Sequence, residues 1–502
     1  MRKILLFIFI VAGIGSGQAQ QMLGLAGNNY SGTHGIFLNP ASVANSRNGF
    51  YFDLATVQVG AANNYLKLPL GVANIGGFEL DKNNLDKRDN ARPKFASAGG
   101  QASALSFMVK MSPLHSFAFT NRVRFGLSAN NVSSQLANII AEGTDNGDGV
   151  AGNTYRNIAF NMSVNAYKET GLTYARVVEV DKAHTLKAGL TINRLHGITA
   201  AYFNSRDADF SISEKPDPQQ PTEDRTLANI ENIDLRYGYI DPKAYESATD
   251  NPSLGSFFGK GLPGKGWGFN LGATYEKLED TAGEKLMDSL KTMYSVDKSS
   301  GKRMKNNYKY RLGVALMDVG SIRYSGDFVK NYDISRADKT IVADSLSGGA
   351  EDIAGVLNNA LDVTPGETSN TLKTGLATAL HVNLDYHIKG KLYVNTVWVQ
   401  SLRGKNALGM RRASLLAITP RLEMRWFEFA LPVAIAHNYS RVVVGAYVKL
   451  GVFHIGSDNV AGALGLGKTY GTDAYAGVSI PVFARNKQAK AKTVKSEGVP
   501  TR

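Results

Sequence analysis

The chain has 502 residues, no cysteine and a formal net charge of +13, from 56 Lys and Arg against 43 Asp and Glu. The lack of cysteine excludes disulfides, thiolate metal sites and a lipid anchor on an N-terminal cysteine. The 52 glycines and the 22 tyrosines and 22 phenylalanines, against 15 prolines, favour many strands and turns over a helical protein.

The N-terminus has the order of a secretory signal peptide. Met1, Arg2 and Lys3 form a basic start, residues 4–14 are almost all apolar, and Gly17 and Ala19 form a small-x-small site. The apolar run is shorter than the about 20 residues that a membrane-spanning helix needs. We therefore predict a signal peptide at 1–19 and an exported protein. The positive charge is then interpreted as solvated loops, a lumen face and a basic tail at 485–502, and no nucleic acid is expected as a partner.

Alternation of apolar and polar residues predicts strands along most of the chain. It is clear in 157–166, 186–193, 267–276, 308–316, 381–388 and 421–426. Successive strand side chains point to opposite faces, so each segment has one apolar and one polar side. A soluble β-sandwich or a propeller shows the same pattern.

Three features favour a membrane barrel over those soluble folds. The predicted strands have about 8–12 residues, near the length of a tilted transmembrane strand. Tyr, Phe and Trp stand near the ends of the apolar series, as in interfacial girdles. Tight turns (111–114, 388–391 and 437–440) alternate with long polar insertions (128–156, 205–231, 241–265, 278–307 and 329–375). The fold prediction is an all-β, transmembrane antiparallel β-barrel at 49–484 with about 14 strands (roughly 12–16) and long outer loops.

Helical spacing of apolar residues occurs inside three of the insertions, at 133–142, 284–296 and 350–362. We predict short helices that cap outer loops. A plug or a partner-docking surface is the alternative for these segments.

Several segments resemble known outer-membrane families. Residues 35–41 (GIFLNPA) resemble the Asn-Pro-Ala segment of FadL-like barrels, which include long-chain fatty-acid transporters and a barrel subunit associated with type IX secretion. An ordered set of later segments resembles a Bacteroidota outer-membrane family of unknown function: 267–275, 312–320, 451–459 and 473–478. The resemblance covers about 24 to 484 and implies a barrel of about 14 strands with an N-terminal hatch inside the lumen.

The hatch is predicted at 20–48, because this segment is too polar and glycine-rich for a membrane strand. Proline fixes φ and favours an extended conformation in the residue before it. A rigid Asn-Pro turn is therefore expected to place apolar side chains against the barrel interior. The candidate hatch residues are Phe37, Leu38, Asn39, Pro40 and Ala41.

Rows of polar residues on single strand faces are predicted to line the lumen. They are Arg122, Arg124, His381, Asp385, His387, Arg421, Glu423 and Arg425. Neighbours at i and i+2 in a strand lie about 6.5 Å apart and do not converge on a metal by local geometry. We interpret them as a polar lumen wall, in which the charges either neutralise one another or tune ion selectivity.

No catalytic, metal or cofactor motif stands out. The calcium-like loop at 145–149 has glycine in place of its third ligand and lacks the final glutamate. There is no phosphate-binding Gly-Lys-Ser/Thr loop, no His-Glu-x-x-His and no nucleophile elbow. We expect no cofactor and no enzymatic activity.

Three classes of function remain open for a barrel of the Gram-negative outer membrane; the sequence favours the first described below, and an enzyme is the one that we expect least. The first is FadL-like transport of apolar or amphipathic small molecules, which predicts a continuous apolar pocket inside the barrel. The second is an accessory or scaffold barrel for a secretion or assembly complex, which predicts a filled lumen and an exposed apolar patch, away from lipid, on the loops or the tail. The expected partners are outer-membrane lipid and either hydrophobic small molecules or other envelope proteins.

Overall fold

The structure is a computed structural model that describes residues 21–67, 86–88, 90, 92–142, 152–181, 183–216, 224–245, 259–279, 308–342, 345, 350–404 and 407–483. The expected signal peptide, the calcium-like loop, the helix expected at 284–296 and the basic tail lie outside these residues.

The described residues form a chain of strands with few helices. The strands are β1 (Asn48–Asn63), β2 (Leu66–Lys67), β3 (Asp86–Lys87), β4 (Lys94–Lys110), β5 (His115–Val132), β6 (Thr154–Tyr155), β7 (Phe160–Val180), β8 (His184–Pro216), β9 (Asp224–Ile240), β10 (Gly264–Leu278), β11 (Tyr308–Ser325), β12 (Val329–Val342), β13 (Thr368–Ser369), β14 (Thr371–Gly375), β15 (Ala379–Lys389), β16 (Leu392–Ser401), β17 (Leu415–Glu423), β18 (Phe427–Ala430), β19 (Val433–Ala436), β20 (Arg441–Val444), β21 (Ala446–Leu450), β22 (Phe453–Ser457) and β23 (Gly471–Phe483). The α-helices are Leu23–Ala26, Ser134–Glu142, Ala350–Ala360 and Val460–Ala463, and the 3₁₀-helices are Gly32–Phe37, Pro40–Val43 and Pro365–Glu367. In the described part of the chain, no helix is long and apolar enough to cross a membrane.

The sheet closes into a barrel of 14 antiparallel strands, which confirms the predicted fold class. Its order is β1, β4, β5, β7, β8, β10, β11, β15, β16 and β17, then β18 with β19, β20 with β21, β22 and β23. The first and last strands close the ring, with Asn48 opposite Phe483 and Ala62 opposite Gly471. β11 runs antiparallel to β14 at one end and to β15 at the other.

The outer surface of the barrel is an apolar belt. Large hydrophobic side chains are exposed at each of the 14 positions of the ring, for example Val57, Phe125, Leu190, Leu271, Val314, Ile418, Val442, Ile455 and Ile480. The residues between them point inward: Leu271 is 59% exposed and Asn270 is 1% exposed. The period of two therefore separates an apolar exterior from a polar interior, as the sequence predicts.

The two ends of the barrel differ, and we name them by their connections. The short turns after β4, β7, β15 and β17 lie at one end, the short-turn rim, and β5, β9 and β16 end at the other, the long-loop rim. The expectation that 278–307 lies among the long loops was wrong. β10 descends to Leu278 and β11 begins at Tyr308 on the short-turn rim, so this insertion leaves from the same end as the tight turns. The tight turn at 437–440 lies on the long-loop rim.

A β module rises from one side of the long-loop rim. β8 pairs with β10 up to Gly197 and with β9 from Ala201 onward, and β9 pairs with β12 over Leu227–Ile240. The helix Ala350–Ala360 packs on this sheet through Ala354 and Leu357. Leu361, immediately after that helix, is fully buried in the same core, so the apolar stripe expected at 350–362 forms as predicted. The module has its own hydrophobic core, formed mainly by Ile, Leu and Tyr from β8, β9, β12 and the helix.

Candidate functional site: a plugged lumen

The N-terminal segment 21–47 lies inside the barrel and contains no strand among its residues. Asn39 is extended (φ −158°, ψ 118°), and its side-chain oxygen accepts a hydrogen bond from the Ala41 amide at 2.9 Å. Its side-chain nitrogen donates to the Ala273 carbonyl of β10 at 3.0 Å. The Asn-Pro turn is thus built as predicted, and it anchors the hatch to the wall.

Glycines in the wall allow the hatch backbone to come this close. A Cβ at Gly272 would collide with the side chain of Asn39, and a Cβ at Gly189 would collide with the backbone of Pro40 and Ala41. Both glycines stand on inward-facing positions of β8 and β10. Any larger residue there would push the turn off the wall.

Carboxylates of the last third of the barrel hold the first half of the hatch. Asp458 accepts from the Leu23 amide at 3.0 Å, and Glu428 accepts from the Asn28 side chain at 2.6 Å. Glu423 accepts from the backbone and side-chain nitrogens of Asn29 at 3.0 and 2.7 Å. Farther along the ring, past β23, His34 lies 3.4 Å from Asp53 of β1. Side-chain contacts therefore fasten the hatch around the ring.

The hatch also covers an apolar strip on the inner wall. Leu23, Ala26 and Leu38 pack against small and medium side chains of β15, β16, β17, β19 and β20. Those wall residues are Ala379, Val397, Val399, Leu415, Ala417, Ala434, Ala436 and Val443. Phe37, in contrast, lies under the guanidinium of Arg122, 3.9 Å from the ring centre.

Arg122 and Arg124 belong to one buried charge cluster. Arg122 donates to Glu169 (2.7 Å), and Arg124 donates to Asp318 (3.1 Å). Arg412, from the loop after β16, donates to Asp318 at 2.7 Å and to His381 Nε2 at 3.1 Å. His381 Nδ1 in turn donates to the Leu38 carbonyl of the hatch at 3.0 Å.

Asp385, Arg421 and Glu423 form a second cluster nearer the short-turn rim. Arg421 donates to Asp385 at 2.7 and 2.6 Å and to Glu423 at 2.6 Å. Arg311 of β11 adds a contact to Asp385 at 2.9 Å. Arg47, at the end of the hatch, lies 3.7 Å from Glu423. Candidate residues from separate strand rows are thus brought together in two clusters.

Two candidates lie outside both clusters. His387 is half-buried near the short-turn rim, 2.5 Å from Glu279 and stacked on Tyr393. Placing Arg425 in the lumen was wrong. β17 ends at Glu423, so the alternation stops there, and Arg425 is exposed in the turn before β18.

The loop 402–414 closes the lumen from the long-loop rim and was missed at the sequence level. Its residues cross to the opposite wall, where Ser163 of β7 donates to the Gly409 carbonyl at 3.1 Å. Gly375 N donates to the Leu408 carbonyl at 3.1 Å, and Met410 N donates to the Gly375 carbonyl at 3.2 Å. Arg412 then fixes the loop to Asp318. The only sequence signal is the pair Arg411-Arg412 within an otherwise short connection.

Little space remains between these elements. One cavity of about 40 Å³ lies between the hatch and Lys187, Glu276 and Arg311. Another of about 50 Å³ lies between the hatch and Arg122, Arg124 and Arg412. Each has room for a few water molecules. In the described part of the chain, no three His, Asp or Glu side chains are grouped to hold a metal ion.

Comparisons with solved structures return outer-membrane barrels at low similarity. The chain is similar to the toluene transporter TbuX of Ralstonia pickettii at 12% identity and TM-score 0.39, covering 94% of this chain and 99% of that one. It is similar to the toluene transporter TodX of Pseudomonas putida at 8% identity and TM-score 0.30, covering 93% and 96%. A FadL homologue of Pseudomonas aeruginosa is similar at 11% identity and TM-score 0.29, covering 93% and 98%.

A search of curated proteins found no match. The profile of a family of unknown function, DUF5723, matches residues 40–458, which is well over half of the chain. The match begins at Pro40 of the hatch and extends to Asp458, the carboxylate that holds the Leu23 amide. The chain belongs to the DUF5723 family.

Proposed function

We propose that this chain is an outer-membrane β-barrel that is closed at rest and serves as an accessory or scaffold component of an envelope complex, with no catalytic role. The observation that carries this proposal is the filled lumen. Hatch, inward loop and two charge clusters occupy the interior, and two cavities between them have volumes of about 40 and 50 Å³.

The membrane location rests on the barrel surface. An apolar belt runs around all 14 strand positions, while the interior is polar and charged. This is the reverse of a soluble barrel, which hides apolar side chains inside. Together with the expected signal peptide, it supports the outer membrane of a Gram-negative bacterium.

The proposed orientation places the long-loop rim outside the cell. Short turns of such barrels face the periplasm and longer loops face outward. The β module then stands on the cell surface, on strands continuous with the barrel wall. Its outward face carries an ion-pair row in which Arg206 contacts Asp234 and, at 2.9 Å, Asp333. A charged face of this kind lies in water and not in lipid, and it is the surface that we propose for a protein partner.

The test is native electrophoresis of the chain after extraction from its native membrane. The intact chain, extracted in mild detergent and separated by native electrophoresis, should migrate in an assembly larger than the barrel. The variant Arg206→Asp/Asp234→Arg/Asp333→Arg, which reverses the charges of both contacts of Arg206, should release the barrel from that assembly. Arg156→Asp/Glu231→Arg reverses another exposed pair of the module and is the control. A wild-type chain that migrates alone would contradict the scaffold proposal.

A gated conduit for amphipathic small molecules is the second candidate. It is favoured by the apolar strip beneath Leu23, Ala26 and Leu38, which lies beside charged clusters and would be uncovered if the hatch moved. Because no strand pairing joins hatch and wall among the described residues, the hatch could leave without breaking the barrel ladder. Retention of a fluorescent fatty acid by the hatch-deleted barrel in liposomes, and not by the wild type, would favour this candidate.

A further inference from the structure

Arg441 presents an unused edge of its guanidinium. Within the part of the chain that the structure describes, its Nε and Nη2 are both shielded from solvent and have no hydrogen-bond partner. These two donors lie side by side on one edge, which is the geometry that receives two oxygens of a carboxylate or phosphate. The arginines of the two charge clusters instead donate to carboxylates.

The surroundings hold this edge in place. The guanidinium lies over the ring of Tyr470, 3.6 Å from its centre, which fixes the plane of the fork. Arg441 begins β20, where Val442 and Val444 are exposed on the lipid side. Because alternate strand residues face opposite sides, Arg441 faces the mouth of the barrel and not the lipid.

The turn before Arg441 is strained. His437, Asn438 and Tyr439 all have left-handed backbones, with φ of 54°, 57° and 62°. Three consecutive non-glycine residues in this region are unusual, and such strain collects at functional sites. Side-chain and backbone bonds hold the turn: Ser414 N donates to the Asn438 side chain at 3.0 Å, and Asn438 N donates to the Ser414 carbonyl at 3.0 Å.

His437 adds a third group next to the arginine. It is 1% exposed, and its Nδ1 has no partner among the described residues. Burial and the charge of Arg441 lower the pKa of this turn residue to about 4. The imidazole is therefore neutral at pH 7, and its Nδ1 can carry a proton and donate it to an acceptor.

We propose that Arg441, stacked on Tyr470 and flanked by His437, is a binding site for a compact oxyanion, a carboxylate or phosphate group, at the mouth of the barrel. The group accepts two parallel hydrogen bonds from Nε and Nη2 and a third from the imidazole. The inward direction of Arg441 favours a dissolved oxyanion over a lipid headgroup. This site does not depend on whether the barrel is a scaffold or a conduit.

The test is calorimetric titration of the full-length purified barrel in uncharged detergent with inorganic phosphate and with acetate, against sodium chloride at equal ionic strength. At least one oxyanion should bind saturably. Arg441→Lys keeps the charge and removes the fork, so it should weaken binding by about tenfold or more. The variant His437→Asn should weaken oxyanion binding less than Arg441→Lys does. Asparagine is used because it tolerates the left-handed backbone of this turn.

Arg194→Lys is the matched control, because Arg194 also stacks on an aromatic ring, that of Trp267, but donates to the Gly266 carbonyl. It should bind like the wild type. Heat-modifiable gel migration checks that each variant folds. Repeating the titration in micelles that contain phosphatidylglycerol separates a dissolved oxyanion from a lipid headgroup. Loss of phosphate and acetate binding in these micelles would mean that the headgroup occupies the site. Binding no stronger than chloride, or equal binding by Arg441→Lys, would overturn the site.

Discussion

Arg421 of β17 reaches past β16 and donates two hydrogen bonds, of 2.7 and 2.6 Å, to Asp385 of β15. Both side chains are buried inside the barrel. An ion pair in this position does not line a water-filled pore; it is part of a packed interior. The stability of the closed state therefore depends on such pairs remaining complete.

Breaking this pair should be costly. Arg421→Gln leaves Asp385 with one fewer cation, and Asp385→Asn leaves the guanidinium without its main acceptor. Removing one partner of a buried pair costs about 3–5 kcal/mol. The double variant should lose clearly less than the sum of the two, because neither charge is then stranded. Urea unfolding in lipid vesicles, followed by tryptophan fluorescence, measures this, and strictly additive losses would mean that the two groups do not interact.

The lipid face can be tested at Leu271. A charge near the midplane of a membrane barrel costs about 2–4 kcal/mol, so Leu271→Arg should reduce the heat-modifiable folded form. Leu271→Phe keeps the position apolar and should fold normally. The adjacent Asn270 is not a silent control, because it is buried and accepts from the Asp318 amide at 2.7 Å. Equal folding of the Arg and Phe variants would argue against a lipid-facing position.

The β module should unfold separately from the barrel. Leu357→Ala removes a buried side chain from its core and should cost about 2–5 kcal/mol, exposing the helix Ala350–Ala360 to protease. Gly355→Ala adds a methyl into open space on the same helix and should slow cleavage, because alanine favours helix more than glycine does. The barrel band should remain heat-modifiable in both. Loss of that band in Leu357→Ala would show that module and barrel fold as one unit.

The hatch contact at Asp458 can be followed with a single thiol, since the chain has no cysteine. Ala26→Cys places the thiol in the buried apolar contact between hatch and wall. It should react slowly with maleimide. Adding Asp458→Asn, which weakens the hold on the Leu23 amide, should speed the reaction severalfold. Fast labelling of Ala26→Cys alone, in a folded barrel, would mean that the hatch does not stay seated.

Local pattern was enough to predict the wall. The period of two that separates Leu271 from Asn270 follows directly from strand geometry, and the Asn39-Pro40 turn follows from the restrictions that proline imposes. The helix at Ala350–Ala360 follows from one apolar stripe. These features depend on residues close together in the chain.

The charge clusters could not be predicted in the same way. Arg124 and Asp318 are 194 residues apart, and only closure of the ring brings them together. The same holds for Arg412, because the pair Arg411-Arg412 alone does not show that its loop turns inward. The end of the barrel from which the insertion 278–307 leaves was predictable in principle. Each strand reverses direction, so counting strands shows at which rim a connection begins. Arg425 was misplaced because alternation alone does not show where a strand ends.

Two elements, the hatch and the loop 402–414, together close the lumen. The test is single-channel conductance in planar bilayers. Four proteins are compared: the wild type, a deletion of 22–45, the variant Arg412→Gln, and the deletion combined with Arg412→Gln. We expect no current steps for the wild type and clear steps for the combination. The deletion alone should give near-background current, because the loop still crosses the lumen. Stable open conductance of the folded wild-type barrel would contradict it.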